Sequence, residues 1–118
     1  GHRDGDGPVM DLAVRWVDAR VSELWSAVQT RTQRHKNEDW LVVITTDHGR
    51  TLSDGKGHGG QSDRERTIWI ASNSPRMVSP RERAAAIVDI YPSIVEHMRF
   101  QLPDEVAAQL AGESLLSE

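Results

Sequence analysis

Apolar positions in the first third of the chain recur at steps of three and four: Val9, Leu12, Ala13, Trp16, Val17, Val21, Leu24, Trp25 and Val28. That spacing gathers them on one face of an amphipathic helix running from Pro8 to Gln33. Pro8 suits the first turn, where no intrahelical donor is needed. Arg31, Arg34, His35 and Lys36 fall near the negative end of the helix dipole. The stripe includes two tryptophans, which are expected to pack, so the helix is predicted to lie on a sheet.

After Asn37-Glu38-Asp39 the pattern changes. Trp40-Leu41-Val42-Val43-Ile44-Thr45 is a short apolar run, rich in β-branched residues and without alternation. It reads as a strand buried on both faces of a parallel sheet. A second strand is predicted over Arg66 to Ala71, where Ile68 and Ile70 alternate with Thr67 and Trp69, and Asn73-Ser74-Pro75 ends it. Ser79-Pro80-Arg81-Glu82 has the form of a capping box and predicts a short helix through Ala86. Asp89 is placed to cap the next helix, with Pro92 in its first turn and Ile94, Val95 and Met98 on its apolar face. Pro103 to Leu110 is expected to form a last short helix, stopped by Gly112.

The fold class is therefore α/β, but two strands do not complete such a sheet. A run like Leu41–Ile44 calls for neighbours on both edges and helices on both faces, and two strands alone are marginal. The expectation is that these 118 residues are the C-terminal portion of a larger domain whose remaining strands lie elsewhere in the parent chain.

Bulk properties narrow the function. Net charge is −4 and the pI is about 5.7, so a nucleic-acid backbone is not an expected partner. Cysteine is absent, which excludes disulfides and thiolate metal ligands and leaves the compartment open. No apolar run approaches the roughly 18 residues of a membrane span, so no membrane partner is expected, and no signal peptide is visible.

Candidate chemistry lies between the two predicted strands. Asp47 and His48 follow the first strand directly, and ligands collect at the carboxyl ends of strands in open α/β sheets. Gly49 to Asp63 has no hydrophobic period and reads as a loop, carrying His58 among Gly57, Gly59 and Gly60. A carboxylate, two imidazoles and a backbone that allows close approach suit a transition metal, with Zn²⁺ first. The same residues also read as a plain turn, Asp47 bonding the backbone and His48 exposed. Arg50, Lys56, Gln61 and Arg66 flank the loop and read as solvated groups rather than phosphate contacts. His35 and His97 are expected at the surface; Tyr91 and Trp69 are expected to pack.

Five stretches carry a family resemblance: Thr46-Asp47-His48-Gly49-Arg50, Gly57-His58-Gly59-Gly60-Gln61, Thr67-Ile68-Trp69-Ile70-Ala71, Asp89-Ile90-Tyr91-Pro92-Ser93 and Gly112-Glu113-Ser114-Leu115-Leu116. In this order they resemble the C-terminal part of the alkaline phosphatase superfamily, most closely its type I phosphodiesterase/nucleotide pyrophosphatase branch. The opening Gly1-His2-Arg3-Asp4-Gly5-Asp6-Gly7-Pro8 resembles the second half of the family's Asp-x-x-Gly-His-x-x-Gly-Pro segment, with about one extra residue before Gly-Pro. A tag remnant is the alternative reading of Gly1-His2.

The resemblance implies a parent enzyme in which two divalent metal ions, Zn²⁺ first, bracket the phosphoryl group of a small-molecule phosphate ester. It assigns Asp47 and His48 to one metal and His2 and His58 to the other. The family's nucleophile is a Thr or Ser near a helix N-terminus, joined by an early Asp, and no segment here matches either. The fragment alone is therefore expected to be inactive and prone to self-association, and the resemblance is compatible with an exported parent, periplasmic or extracellular. A sulfatase of the same superfamily is the alternative enzyme; a non-catalytic metal-binding or interaction domain on this scaffold is the alternative of another class.

Overall fold

Helix α1 spans Pro8–Arg34, one residue longer than the apolar period predicts. Pro8 occupies its first turn, Asp11 sits near the positive end of the dipole, and Arg31 and Arg34 lie near the negative end. Its C-terminal turn is tied down by one fork. The Arg31 guanidinium donates through Nε and Nη2 to both oxygens of Glu38, each at 2.6 Å, while Trp40 Nε1 donates to the same carboxylate at 2.9 Å. These donors, Arg31 first, hold the Glu38 carboxyl down at about 2.

This computed structural model describes residues 2–81 and 83–117. They form a mixed structure of helices and one small two-stranded sheet. The chain divides into two units, one of Gly1–Trp40 with His48–Thr67, the other of Leu41–Asp47 with Ile68–Glu118.

In the first unit, α1 departs from expectation. None of its residues is buried, and Leu12, Trp16 and Leu24 are each about two-thirds exposed. The predicted covering sheet is not formed by the described residues. Two strands of three residues present too little apolar surface to cover a helix about 40 Å long. The same unit holds a helix that the loop reading missed, α2, over Asp63–Arg66. It follows Ser62, whose hydroxyl accepts the N–H of Glu65 and donates to the Glu65 carboxylate at 2.5 Å. Ser-x-x-Glu has the sequence form of a capping box, of which the Ser62 half is made, and the helix it begins displaces the expected strand start at Arg66.

In the second unit, β1 (Val43–Thr45) pairs with β2 (Ile70–Ser72) in antiparallel register, Ile44 opposite Ala71. Both strands are shorter than predicted. Asn73 extends the ladder by one step: its N–H donates to Val42 O, and its side-chain Oδ1 accepts the N–H of Val42 at 2.7 Å. The expectation of a parallel, doubly covered strand is corrected. β1 is half-buried and has one antiparallel neighbour, because the described chain offers no other strand.

The core of this unit is small and partly polar. Leu115 and Leu116 are its buried apolar residues, and Asp89 and Ser93 are buried beside them. Leu41, Val43 and Ile90 help line the adjoining gap. Leu116 also forms an antiparallel bridge with Met77.

Ser79–Ala86 does not become the predicted helix. One turn closes, with Arg83 N–H on Ser79 O at 3.2 Å, and residues 84–86 carry no helix; Glu82, the expected capping glutamate, lies outside the described residues. The chain is held extended at Ala86 because the Asp89 carboxylate accepts its N–H at 2.8 Å. A 3₁₀ turn at Ile87–Asp89 then leads into α3, Ile90–Met98, with Pro92 in the first turn as predicted.

Asp89 makes no capping bond to α3. Its oxygens are taken by Ala86 N–H, Glu113 N–H and the Arg83 guanidinium. The last helix, α4, is limited to Asp104–Ala107 and frays through single turns to Leu110. Gly112 does not stop it. A Cβ there would lie 2.2 Å from Val88 O, so the position serves close backbone approach. Trp69 and Tyr91 are about half exposed rather than packed.

Candidate functional site

The loop after His48 is built by its own backbone. Gly49 N–H donates to Glu65 O at 2.8 Å, and a Cβ at Gly49 would lie 1.8 Å from Arg64 O. Only glycine allows the chain to press against α2 this closely. Thr51 N–H donates to Gly57 O at 3.0 Å and the Thr51 hydroxyl accepts the N–H of Gly57 at 3.1 Å, closing residues 51–57 into a ring. Asp54 sits inside that ring. The Lys56 N–H and the Thr51 hydroxyl donate to its carboxylate and hold its pKa below the usual range.

Three histidines meet beside this loop. The rings of His48 and His58 stack with centroids 4.0 Å apart, and the ring of His2 lies 4.9 Å from that of His58. His48 is half-buried; His2 and His58 are exposed. Two of the rings are oriented by the backbone. His48 Nδ1 donates to Gly49 O at 2.7 Å, and His2 Nδ1 donates to Lys56 O at 3.0 Å. A neutral imidazole that donates from Nδ1 carries its lone pair on Nε2, the arrangement common in metal-ligating histidines. By donor type, His2 and His48 therefore fit a zinc ion.

Asp47, the fourth expected ligand, belongs to the second unit and is exposed two residues past β1. Among the described residues no group of three His, Asp or Glu side chains is disposed to hold a metal ion. The donor chemistry fits a metal, but no complete coordination set is present among them.

Two residues gain importance that the sequence reading did not give them. Glu65 holds the glycine-rich turn by accepting Gly60 N–H at 2.9 Å. The Ser62 hydroxyl first, then the Gly60 N–H, keep its carboxyl low. The Ser-x-x-Glu spacing at Ser62 was the available signal. Arg50, expected in solvent, is half-buried, and its Nη1 is buried without a hydrogen-bond partner among the described residues. Lys56, Gln61 and Arg66 are exposed, as expected of solvated loop groups, and so is His35; His97 is half-buried.

No helix among the described residues is long and apolar enough to cross a membrane. Comparison of the chain with protein families, curated proteins and solved structures finds no match.

Proposed function

We propose that the chain is the C-terminal part of a two-metal phosphoric ester hydrolase of the phosphodiesterase/nucleotide pyrophosphatase kind, acting on a small-molecule phosphate ester. The observation that supports this reading best is the convergence of His2, His48 and His58. They come from three separate stretches, each of which resembles a ligand segment of the alkaline phosphatase superfamily. Under this reading His48 and the preceding Asp47 serve one ion, and His58 and His2 the other.

The ions, Zn²⁺ first, would supply Lewis-acid stabilisation of the phosphoryl oxygens and of the attacking or leaving oxygen. The chain's own contribution is orientation. Gly49 O and Lys56 O fix the tautomer of His48 and His2, and Glu65 fixes the turn that follows His58. The nucleophile belongs to the remainder of the parent, so these residues alone bind metal weakly and do not turn over substrate.

The coding sequence upstream of Gly1 tests the assignment. It is expected to encode a Thr or Ser nucleophile segment and two further metal-binding Asp residues. The extended protein is expected to hydrolyse bis(p-nitrophenyl) phosphate in a metal-dependent way. An upstream sequence without those residues, or an extended protein inert toward phosphate esters with metal supplied, contradicts the enzyme reading.

A further inference from the structure

We infer that Arg64 is a positioning residue that places His2 beside His58, an inference that rests on reading His2 as a metal ligand. His2 stands at the start of the described chain, where a segment rich in glycine and aspartate has no core to hold it. It is nevertheless held, and one guanidinium ties the segment that bears it to the neighbouring elements. Arg64, on α2, donates from Nη2 to the carboxylate of Asp6. Its Nη1 donates to Thr51 O at 3.0 Å and to Leu52 O at 3.2 Å. One side chain thus joins α2, the ring of residues 51–57 and the segment that bears His2.

The segment and the ring are shaped to meet. Gly5 has φ +66 and Gly55 φ +65, both in the left-handed region. A Cβ at Gly5 would lie 2.1 Å from Asp54 O, and one at Gly55 would lie 2.4 Å from the Asp6 carboxylate. Asp6 N–H donates to Asp54 O at 3.4 Å, and His2 Nδ1 reaches Lys56 O at 3.0 Å. With about half of each side chain exposed, the Arg64–Asp6 ion pair is worth little in stability by itself. Its consequence is geometric: without it the segment keeps only the Asp6 N–H bond to Asp54 O and the His2 ring's bond to Lys56 O, and the backbone that carries His2 is no longer anchored to α2.

The test uses the 118-residue chain, with two readouts: Zn²⁺ affinity by calorimetry and the imidazole proton resonances of His2 by NMR. R64Q is expected to move the His2 resonances toward those of an unstructured histidine and to weaken Zn²⁺ binding by about tenfold. R64K is expected to retain part of both. R66Q, on the same helix and exposed, is expected to leave both unchanged. In an H2A background R64Q should weaken Zn²⁺ binding no further, because Arg64 acts through His2. Thermal melts of R64Q and R64K check that the fold is retained.

Unchanged His2 resonances in R64Q overturn the proposal, and so does an equal loss of affinity from R64Q with His2 already removed. If the unaltered chain binds no Zn²⁺, the metal reading of His2 fails. The His2 resonances then still decide whether Arg64 holds the segment.

Discussion

The hydroxyl of Ser93 accepts the backbone N–H of Leu115 at 2.8 Å and donates to Asp89 O at 2.6 Å, both within the buried part of the second unit. The stretches Asp89–Ser93 and Gly112–Leu116 are thereby joined. The Asp89 carboxylate accepts Glu113 N–H at 3.0 Å, and Arg83 donates to the carbonyls of Glu113 and Ser114. Two segments some twenty residues apart in sequence are halves of one polar joint that holds residues 113–115 against the start of α3.

Removing the centre of that joint is expected to be costly. Asp89→Ala leaves the N–H groups of Ala86 and Glu113 and part of Arg83 without their acceptor. The expected loss is about 3 kcal/mol, and Ser93→Ala should cost about 1 kcal/mol. Urea denaturation of both variants measures this. Equal and negligible effects would show that the joint does not stabilise the unit.

Asp89 also sets an acid dependence. Burial pushes its carboxyl up, but the N–H groups of Glu113 and Ala86 and the Arg83 guanidinium outweigh burial and hold it below the usual range. A folded-state pKa below the unfolded one contributes stability that is fully present above about pH 4. That contribution is lost as pH falls through the lowered folded value. Stability measured from pH 5 downward should therefore fall less steeply in Asp89→Asn than in the unaltered chain. Identical slopes contradict the assignment.

The legible parts of the fold were those set by local rules. Pro8 and the three-four period marked α1, Pro92 marked the first turn of α3, and the β-branched residues around Ile44 marked β1. What stayed hidden depended on distant partners. Ser62-x-x-Glu65 and Ser79-x-x-Glu82 have the same form, yet only the first begins a helix. The second is interrupted where Asp89, three residues beyond Ala86, draws the Ala86 N–H out of helical geometry. For the candidate site, His48 stood out by its place just after the first strand and His58 by its glycine-rich setting, whereas the Arg64–Asp6 contact joins residues that no local pattern links.

Two glycines are expected to tolerate no side chain. At Gly112 a Cβ would meet Val88 O at 2.2 Å, and at Gly49 it would meet Arg64 O at 1.8 Å. In both cases the obstacle is backbone, which cannot rotate away. Gly112→Ala should destabilise the second unit by about 2 kcal/mol or more, and Gly49→Ala should loosen the loop that carries His58. Denaturation of Gly112→Ala and proteolysis of the loop in Gly49→Ala read the two effects. A Gly49→Ala loop as protease-resistant as the original contradicts the close approach.

The apolar stripe of α1 predicts self-association. Leu12, Trp16 and Leu24 remain largely exposed along a helix with no buried residue, and exposed apolar surface of this kind marks an interface or an aggregation site. Light scattering on the purified chain should show species larger than a monomer, and Trp16→Lys with Leu24→Lys should shift them toward monomer. A monodisperse monomer with a sharp cooperative melt contradicts the reading of the chain as part of a larger domain.

The proposed function requires His48 and His58 to be metal ligands. Its most direct measurement is calorimetric titration of the chain with Zn²⁺ at neutral pH, alongside His48→Ala and His58→Ala. Because zinc takes about four donors and the described residues hold no complete set, binding should be weak, in the micromolar range or above, and each substitution should reduce it by about tenfold or more. Tight binding that survives both substitutions places the ligands elsewhere and contradicts the account.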